Sequence, residues 1–408
     1  MKLPHPAVVV VLAGISAALH IGKLPPALPV LRDSLGISLV QAGFLLSLVQ
    51  LAGMTLGLAI GAAADSIGPR RTMVLGLVIL SLASLLGGAA GSPEILLTLR
   101  AVEGVGFLLA CLPAPGLIRR LVEPARLNPM LGFWSAYMPI GTSAALLVGP
   151  AFIAVSGWSG WWWFLGALSL AIAGLLWAAV PAQADQRSGA AVASGKGRIA
   201  RTVRSPGPWI ASLAFTVYSG QWLAVIGFLP TIYAQAGLAP AYTAVATALA
   251  AAVNMIGNIA SGRLLQRGLR APVLMQCGYA AMGLGAVIAF APWGEPGPAN
   301  AFVRYLGVLL FSSVGGLVPG TLFTLAVRVA PDEGTVSTTV GWMQQWSAFG
   351  QFAGPPLVAW AAARAGGWHV MWWVTGACAL AGMCIASVMA RFLARQSVGR
   401  PTRVQGAS

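Results

Sequence analysis

The feature that most constrains this chain is a series of twelve apolar runs, each long enough to cross a lipid bilayer as a helix. A helix rises about 1.5 Å per residue, so about 20 apolar residues span the hydrocarbon core. Because lipid offers no hydrogen-bond partners, a helix is the structure that satisfies its own backbone there. The runs cover residues 7–30, 39–62, 72–91, 95–118, 130–155, 161–180, 209–233, 241–264, 272–292, 299–326, 336–362 and 369–393. The sequence therefore predicts an all-α membrane protein with twelve transmembrane helices.

Composition indicates the same class. Hydrophobic residues make up 58% of the 408 residues and charged residues only 8%, against about 25% charged residues in an ordinary soluble domain. The mean hydropathy is +0.81. A soluble fold of this size could not cover so much apolar surface, and the long apolar runs exclude a disordered chain.

One connection is much longer than the others and divides the helices into two groups of six. Residues 182–208 are polar, small and basic, which is typical of a flexible linker. We predict an N-terminal six-helix bundle over residues 1–181, a linker over 182–208, a C-terminal six-helix bundle over 209–395 and a tail over 396–408.

The net charge of +15 is distributed as membrane topology requires. With the N-terminus inside, the inside segments hold 19 of the 24 lysines and arginines, and the outside loops hold only Arg32 and Arg364. The positive-inside rule then places both termini and the linker in the cytoplasm. This distribution explains the basic balance without a nucleic-acid partner. We expect an integral protein of a bacterial inner membrane, surrounded by lipid and monomeric.

The two groups of helices resemble each other. Arg100 precedes Pro115-Gly116 by fifteen residues, and Arg304 precedes Pro319-Gly320 by the same interval. Because each group has an even number of helices, the repeats share one orientation and are related by an axis along the membrane normal. Secondary transporters use this plan, with the substrate site between the halves near the middle of the membrane.

A loop motif links the chain to a known family. The segment between helices two and three, residues 61–71, reads GAAADSIGPRR. It resembles the signature of the major facilitator superfamily, at the position where that family carries it. A shorter second copy follows helix eight. The resemblance implies the twelve-helix fold of that family and a gating role for the motif. The predicted gating residues are Gly61, Asp65, Gly68, Arg70 and Arg71.

The resemblance also implies that helices one, four, seven and ten line a central cavity. These helices carry the ionisable residues predicted to lie within the membrane, a costly placement that marks a functional site. His20 and Lys23 lie on one face of helix one, as do Arg100 and Glu103 on helix four. With Arg304 on helix ten, these helices carry three cations and one carboxylate. This charge excess predicts an anion site, since guanidinium binds carboxylates through a bidentate fork.

Two alternatives remain open for these cations. Lys23 and Arg304 lie near enough to the outer surface to reach lipid headgroups. Arg100 can instead be structural and neutralised by Glu103. Polar residues on other helices would complete the site. The predicted substrate-binding residues are His20, Lys23, Arg100, Tyr218, Gln221, Asn254, Arg304 and Gln344. The predicted proton carriers are His20 and Glu103.

We therefore predict a secondary active transporter that moves a small anionic solute by alternating access, coupled to protons. The sequence contains no phosphate-binding loop, metal-ligand cluster or catalytic triad, so we expect no cofactor, no metal and no enzymatic activity. The alternative is a drug or metabolite efflux antiporter of the same fold. Multidrug antiporters of this family usually place a carboxylate in helix one, where this chain has His20 and Lys23.

Overall fold

The computed structural model describes residues 5–57, 68–123, 130, 133–134, 136–185, 195–294, 297–332 and 335–398. The described residues contain helices and no strand, which confirms the predicted all-α class. The helices of the first half are α1 Pro6–Leu35, α2 Leu39–Gly57, α3 Pro69–Gly87 and α4 Pro93–Leu121. A continuous segment, Tyr137–Ala179, then holds α5 (137–156) and α6 (158–179). After the linker helix Gly195–Arg204 come α7 Pro206–Gln235, α8 Pro240–Gln266, α9 Ala271–Phe290, α10 Pro298–Val329, α11 Val336–Ala365 and α12 Met371–Val398.

The count of twelve helices follows from these segments. Ten of the described segments are long and apolar enough to cross a membrane. One of them, Tyr137–Ala179, is two spans joined at Gly157, whose φ of 71° turns the chain between α5 and α6. The remaining span is α11, a helix of 30 residues. Its glutamines lower its hydropathy, so length identifies it better than apolar character does.

Helix starts follow the local chemistry of the sequence. Most of the long helices begin with proline in the first turn, where the missing N–H would have no partner inside the helix. α2 begins with a capping box instead, because Ser38 and Gln41 satisfy each other's backbone N–H groups. The prolines at helix starts are Pro6, Pro69, Pro93, Pro206, Pro240, Pro272 and Pro298.

Several helices break partway along their length. α1 breaks at Lys23, just before Pro25 and Pro26, which cannot donate to the preceding turn. α8 breaks at Val253 and α10 at Gly316. These last two breaks lie together, since a side chain at Gly316 would collide with the backbone of Asn254. The breaks expose backbone and side-chain polar groups to neighbouring helices within the membrane.

The halves pack in the same way internally and touch each other through three pairs of helices. α1 packs on α5 in the first half, as α7 packs on α11 in the second. Between the halves, α2 contacts α11, the α5–α6 segment contacts the first part of α8, and the second part of α1 contacts α7. These are equivalent positions in the two repeats, so the arrangement is close to twofold symmetric.

Among the described residues, close contacts between the halves concentrate at one end of the bundle. We call this the far end, because it holds the α1–α2 and α7–α8 connections and lies opposite the linker helix. There a Cβ added at Gly43 would lie 2.9 Å from Pro356 Cα, and Gln50 donates to Gln351 Oε1 at 3.0 Å. The glycine allows the backbones of α2 and α11 to approach closely. The far end is therefore closed across the two halves.

Candidate functional site

Four ionisable residues of the first half form one buried group, which we call the N-terminal charge cluster: His20, Lys23, Arg100 and Glu103. None of the four is more than 2% exposed. Lys23 Nζ lies 2.5 Å from Glu103 Oε1, and Arg100 Nη1 lies 2.6 Å from Glu103 Oε2. One carboxylate therefore bridges two cations from different helices.

Lys23 points away from the other half of the molecule. Its ammonium donates to Ser84 Oγ of α3 at 2.9 Å and lies 4.6 Å from the ring centroid of Trp162 at the start of α6. The backbone carbonyl of Lys23 accepts a further bond, from Trp161 Nε1 at 3.3 Å. We predicted that Lys23 lies in the central cavity. Its contacts do not support this placement, since its partners lie on α3, α4 and α6. Lipid headgroups are equally out of reach for this fully buried ammonium.

His20 is held as a neutral imidazole by its two partners. Lys23 Nζ lies 3.2 Å from His20 Nδ1, and an ammonium can only donate, so Nδ1 accepts. The ring proton is then on Nε2, which donates to Ser169 Oγ at 2.9 Å. Ser169 also bonds to Ser16 Oγ at 2.9 Å. The imidazole therefore links α1 to α6 inside the first half.

Arg100 connects α4 to the backbones of α1 and α2. It donates from Nη1 to the carbonyl of His20 at 2.7 Å and from Nε to the carbonyl of Leu45 at 3.1 Å. Its Nη2 is buried and has no hydrogen-bond partner among the described residues. With His20 neutral, the cluster holds two cations and one carboxylate, so its net charge is +1.

Arg304 occupies a different environment from Arg100. Its guanidinium donates to the carbonyls of Ala289, Ala291 and Trp293, each at 2.9 Å, and to Asn300 Oδ1 at 2.5 Å. These carbonyls lie at the C-terminal end of α9 and just after it, where a helix favours a cation. Among the described residues no hydrogen bond joins Arg304 to Arg100 or to a shared partner. The structure therefore does not assemble the predicted pair of facing arginines.

Two of the predicted polar residues of the second half do meet. Asn254 Nδ2 donates to Tyr218 Oη at 2.9 Å and to the carbonyl of Ser312 at 2.8 Å. Trp222 Nε1 donates to Ser312 Oγ at 3.2 Å. This network joins α7, α8 and α10, and it forms at the break within α8. The sequence did not reveal Ser312, Ser84 or Ser169, since single serines in apolar helices carry no distinguishing pattern.

The two predicted glutamines lie in contrasting environments. Gln221 is 3% exposed, and neither atom of its amide has a partner among the described residues. Gln344 is exposed on α11. Next to it is a pocket of about 100 Å³, where Trp342 Nε1 and Gln345 Oε1 also lack partners within the described chain. The lining residues are Met54, Trp342, Gln345, Trp346 and Phe349.

The predicted gating motif lies partly within the described residues. Gly61 and Asp65 fall outside them. Gly68 precedes α3 with a φ of 100°, a conformation that favours glycine. Arg70 Nη2 donates to the carbonyl of Trp177 at 2.6 Å, and its guanidinium lies 3.9 Å from that ring centroid, whereas Arg71 is exposed. The motif therefore ties the start of α3 to the end of α6.

The described residues contain no group of three metal-ligating side chains. Comparison with known proteins identifies the family. The family model of the Major Facilitator Superfamily matches residues 7–355. The chain belongs to this superfamily. It is therefore an integral membrane transporter of the facilitator type, which carries a small-molecule substrate through the membrane and is not expected to act as an enzyme.

A solved structure shows the same fold. A bacterial homolog of the human lysosomal transporter Spinster, in an inward-facing and occupied conformation, superimposes with a TM-score of 0.77 over 96% of this chain and 98% of that chain. Its sequence is only 16% identical, so the likeness concerns the fold of this facilitator protein.

Related facilitator proteins differ in what their names say they carry. The cyanate transport protein CynX of Escherichia coli strain K12 is 23% identical over 77% of this chain and 83% of its own length. The puromycin resistance protein pur8 of Streptomyces alboniger is 38% identical over 30% of this chain. That match covers 25% of the puromycin resistance protein's own length.

Proposed function

We propose that this facilitator protein is a secondary active transporter of a small anionic solute that works by alternating access and is coupled to protons. The observation that carries the proposal is the N-terminal charge cluster, which holds two cations and one carboxylate inside membrane-spanning helices. Charge at this depth is costly and is retained where it serves transport.

The charge count supports an anionic substrate. A buried excess of positive charge is unfavourable unless an anion balances it. Arg100 Nη2 is the cluster's unpartnered donor, so it is the atom that a small anion would contact. The relative with the broadest coverage given above, a cyanate transport protein, carries a small anion by its name. We still predict that the opposite wall of the site is formed by Tyr218, Gln221, Asn254 and Gln344.

The hydrogen bonds of His20 support proton coupling. Protonation would turn Nδ1 from an acceptor into a donor, so the bond from Lys23 to Nδ1 would be lost. Glu103 Oε1 lies 3.9 Å from the same nitrogen and would accept from it. A proton on His20 therefore competes with Lys23 for Glu103 and shifts α1 relative to α4. Glu103 is the second candidate carrier.

Orientation and gating complete the proposal. The linker end faces the cytoplasm, as the positive-inside rule requires, and the far end faces outward. The two halves, separated by the linker, move as units against each other across the contacts of α2 with α11 and of α5 with α8. Asp65, Arg70 and Arg71 act in gating at the linker end.

Uptake into proteoliposomes tests the substrate and the coupling. We expect labelled cyanate, formate or acetate to be taken up faster with an inward proton gradient and to lose that advantage with a protonophore. Lys23→Met leaves a neutral Arg100–Glu103 pair, so anion affinity should fall at least tenfold. Arg304→Gln is the matched control, since it removes a cation outside the cluster. Equal loss in both variants, or uptake of lipophilic cations with no anion transported, would overturn the proposal.

A second function is favoured by the pocket beside Gln344. Trp342, Trp346 and Phe349 offer aromatic faces, and Trp342 Nε1 with Gln345 Oε1 offers a donor and an acceptor. A pocket of this size suits one planar aromatic ring of a larger compound, as expected of an efflux antiporter. Puromycin binding followed by tryptophan fluorescence tests this function. Trp342→Phe should weaken binding by removing the N–H, and unchanged affinity would count against the pocket.

A further inference from the structure

A second cavity lies at the far end, between the last turns of α1 and α7. It has a volume of about 370 Å³ and lies apart from the N-terminal charge cluster. Lys23 and Arg32 are nine residues apart on α1, which corresponds to about 13 Å of helix. The volume falls within the range of small-molecule sites, about 300–1,000 Å³. We call it the far-end cleft. Its lining residues are Pro29, Arg32, Asp33, Thr231, Ala234 and Gln235.

Two polar groups of the far-end cleft have no hydrogen-bond partner among the described residues. Thr231 is 3% exposed, and its Oγ1 has no hydrogen-bond partner among the described residues. Arg32 Nε is buried and equally unpartnered within the described chain. A buried polar group without a protein partner is unfavourable, so these two groups are available to bind a ligand in the cleft.

The neighbouring groups extend the set of donors and add one acceptor. Gln235 Oε1 accepts a bond from Trp368 Nε1 at 2.7 Å, which fixes the amide and leaves its NH₂ group free to donate. Asp33 is exposed and supplies a carboxylate at the mouth of the cleft. The cleft thus combines a guanidinium, a hydroxyl and an amide N–H with one carboxylate.

This combination matches a ligand that carries both charges. Guanidinium, hydroxyl and amide donors suit a carboxylate, and the carboxylate of Asp33 suits an ammonium group. We propose that the far-end cleft binds a small zwitterion with one carboxylate and one ammonium, and that free α-amino acids are its ligand class. Arg32 and Thr231 hold the carboxylate, and Asp33 holds the ammonium.

Occupation of the cleft has a conformational consequence. Arg32 and Asp33 belong to the first half, whereas Thr231 and Gln235 belong to the second. A zwitterion bound to both walls joins the halves where they already meet. It therefore stabilises the arrangement that is closed at the far end and lowers the population of the opposite one.

Calorimetry on the detergent-purified protein tests the ligand class. Glycine, L-serine, L-glutamine and L-leucine are titrated, and each is compared with its analogue that lacks the amine and its analogue that lacks the carboxylate. We expect at least one amino acid to bind at least tenfold more tightly than both of its analogues. Absence of binding by all four amino acids overturns the proposal, and so does equal affinity for an amino acid and its deaminated analogue.

Variants assign the binding to the cleft. Arg32→Gln and Thr231→Val should weaken the amino acid and the carboxylate analogue, whereas Asp33→Asn should weaken the amino acid and the amine analogue but not the carboxylate analogue. Arg364→Gln is the matched control, since Arg364 is an exposed arginine at the end of α11. Parent-like affinity in all three cleft variants places the ligand elsewhere and overturns the assignment.

A further comparison separates this proposal from the transport function. Lys23→Met should leave amino-acid affinity unchanged, because Lys23 lies in the charge cluster and not in the cleft. Loss of amino-acid binding in that variant would show that the zwitterion occupies the transport site, which overturns the second site while leaving anion uptake to be judged by its own assay. Size-exclusion chromatography of each variant controls for folding.

Discussion

Arg100 and Arg304 occupy equivalent places in the two repeats, yet their surroundings have little in common. Arg100 is fully buried and pairs with Glu103, which also binds Lys23. Arg304 is partly buried and donates to carbonyls at the end of α9. The residue three positions after each arginine explains the difference, since it is Glu103 in one half and Gly307 in the other.

α1 and α7 differ in the same way at equivalent positions. Leu28-Pro29 of α1 corresponds to Leu229-Pro230 of α7, and five residues before these pairs α1 has Lys23 and α7 has Ala224. Gly307 uses its lack of a side chain to approach α9, where an added Cβ would lie 2.8 Å from the carbonyl oxygen of Gly285. One half therefore fills this region with paired charges and the other with close backbone packing. The two repeats share their helix packing but differ in the distribution of buried charge.

The greatest loss of stability is predicted for a change in the N-terminal charge cluster. Glu103→Gln leaves Lys23 and Arg100 as buried cations without a counterion, which should lower the free energy of unfolding by about 3–5 kcal/mol. Denaturant titration in mixed micelles measures it. Glu94→Gln, an exposed carboxylate at the start of the same helix, should change it by less than about 0.5 kcal/mol. Similar values for the two variants would contradict a bridging role for Glu103.

The next prediction tests the backbone plan that the halves share. Gly141 on α5 lies against Ala18 of α1, where an added Cβ would be 2.5 Å from Ala18 Cβ, and Gly350 on α11 lies against the carbonyl of Thr216 of α7. Gly141→Ala and Gly350→Ala should each cost about 1–3 kcal/mol through overpacking. The same titration compares them. A cost in one half alone would show that the helix packing is not equivalent.

A smaller effect is expected when the excess cation is removed. Lys23→Met retains the Arg100–Glu103 pair and loses the bonds from Lys23 to Glu103, Ser84 and His20. We expect a loss of stability of about 1–2 kcal/mol, well below that of Glu103→Gln. A double variant with Glu103→Gln measures the coupling between the two residues. Additive effects would mean that the ion pair contributes little to the cluster.

The smallest effect belongs to the arginine of the second half. Arg304→Gln removes donors from the carbonyls at the end of α9, but Arg304 is only partly buried and pairs with no carboxylate among the described residues. We expect the stability to fall by about 0.5–1 kcal/mol. Arg100→Gln, measured beside it, should cost more because Glu103 and the buried carbonyls of His20 and Leu45 each lose a donor. Equal losses of stability in the two variants would show that the two arginines do not differ in their contribution to stability.

Much of the fold could be read from the sequence because the bilayer imposes simple rules. Length and apolar character predicted the helices, and their number matched. The turns at Gly157 and Gly366 also fall where the chain has glycine, and both have a φ of 71°. The structure differs from the prediction mainly inside the helices. Breaks at Lys23, Val253 and Gly316 divide runs that look continuous by hydropathy.

The candidate site was predicted in part. Helical spacing predicts that His20 and Lys23 share a face of α1 and that Arg100 and Glu103 share a face of α4, because residues three apart on a helix are neighbours. Which helices those faces meet depends on how the helices pack, and that packing is known from the structure. In a soluble helix the polar face marks the solvent side, but here nearly all faces are apolar. The sequence therefore could not reveal that Lys23 turns toward α3 and α6, that Glu103 bridges two cations, or that Ser84 and Ser169 complete the cluster.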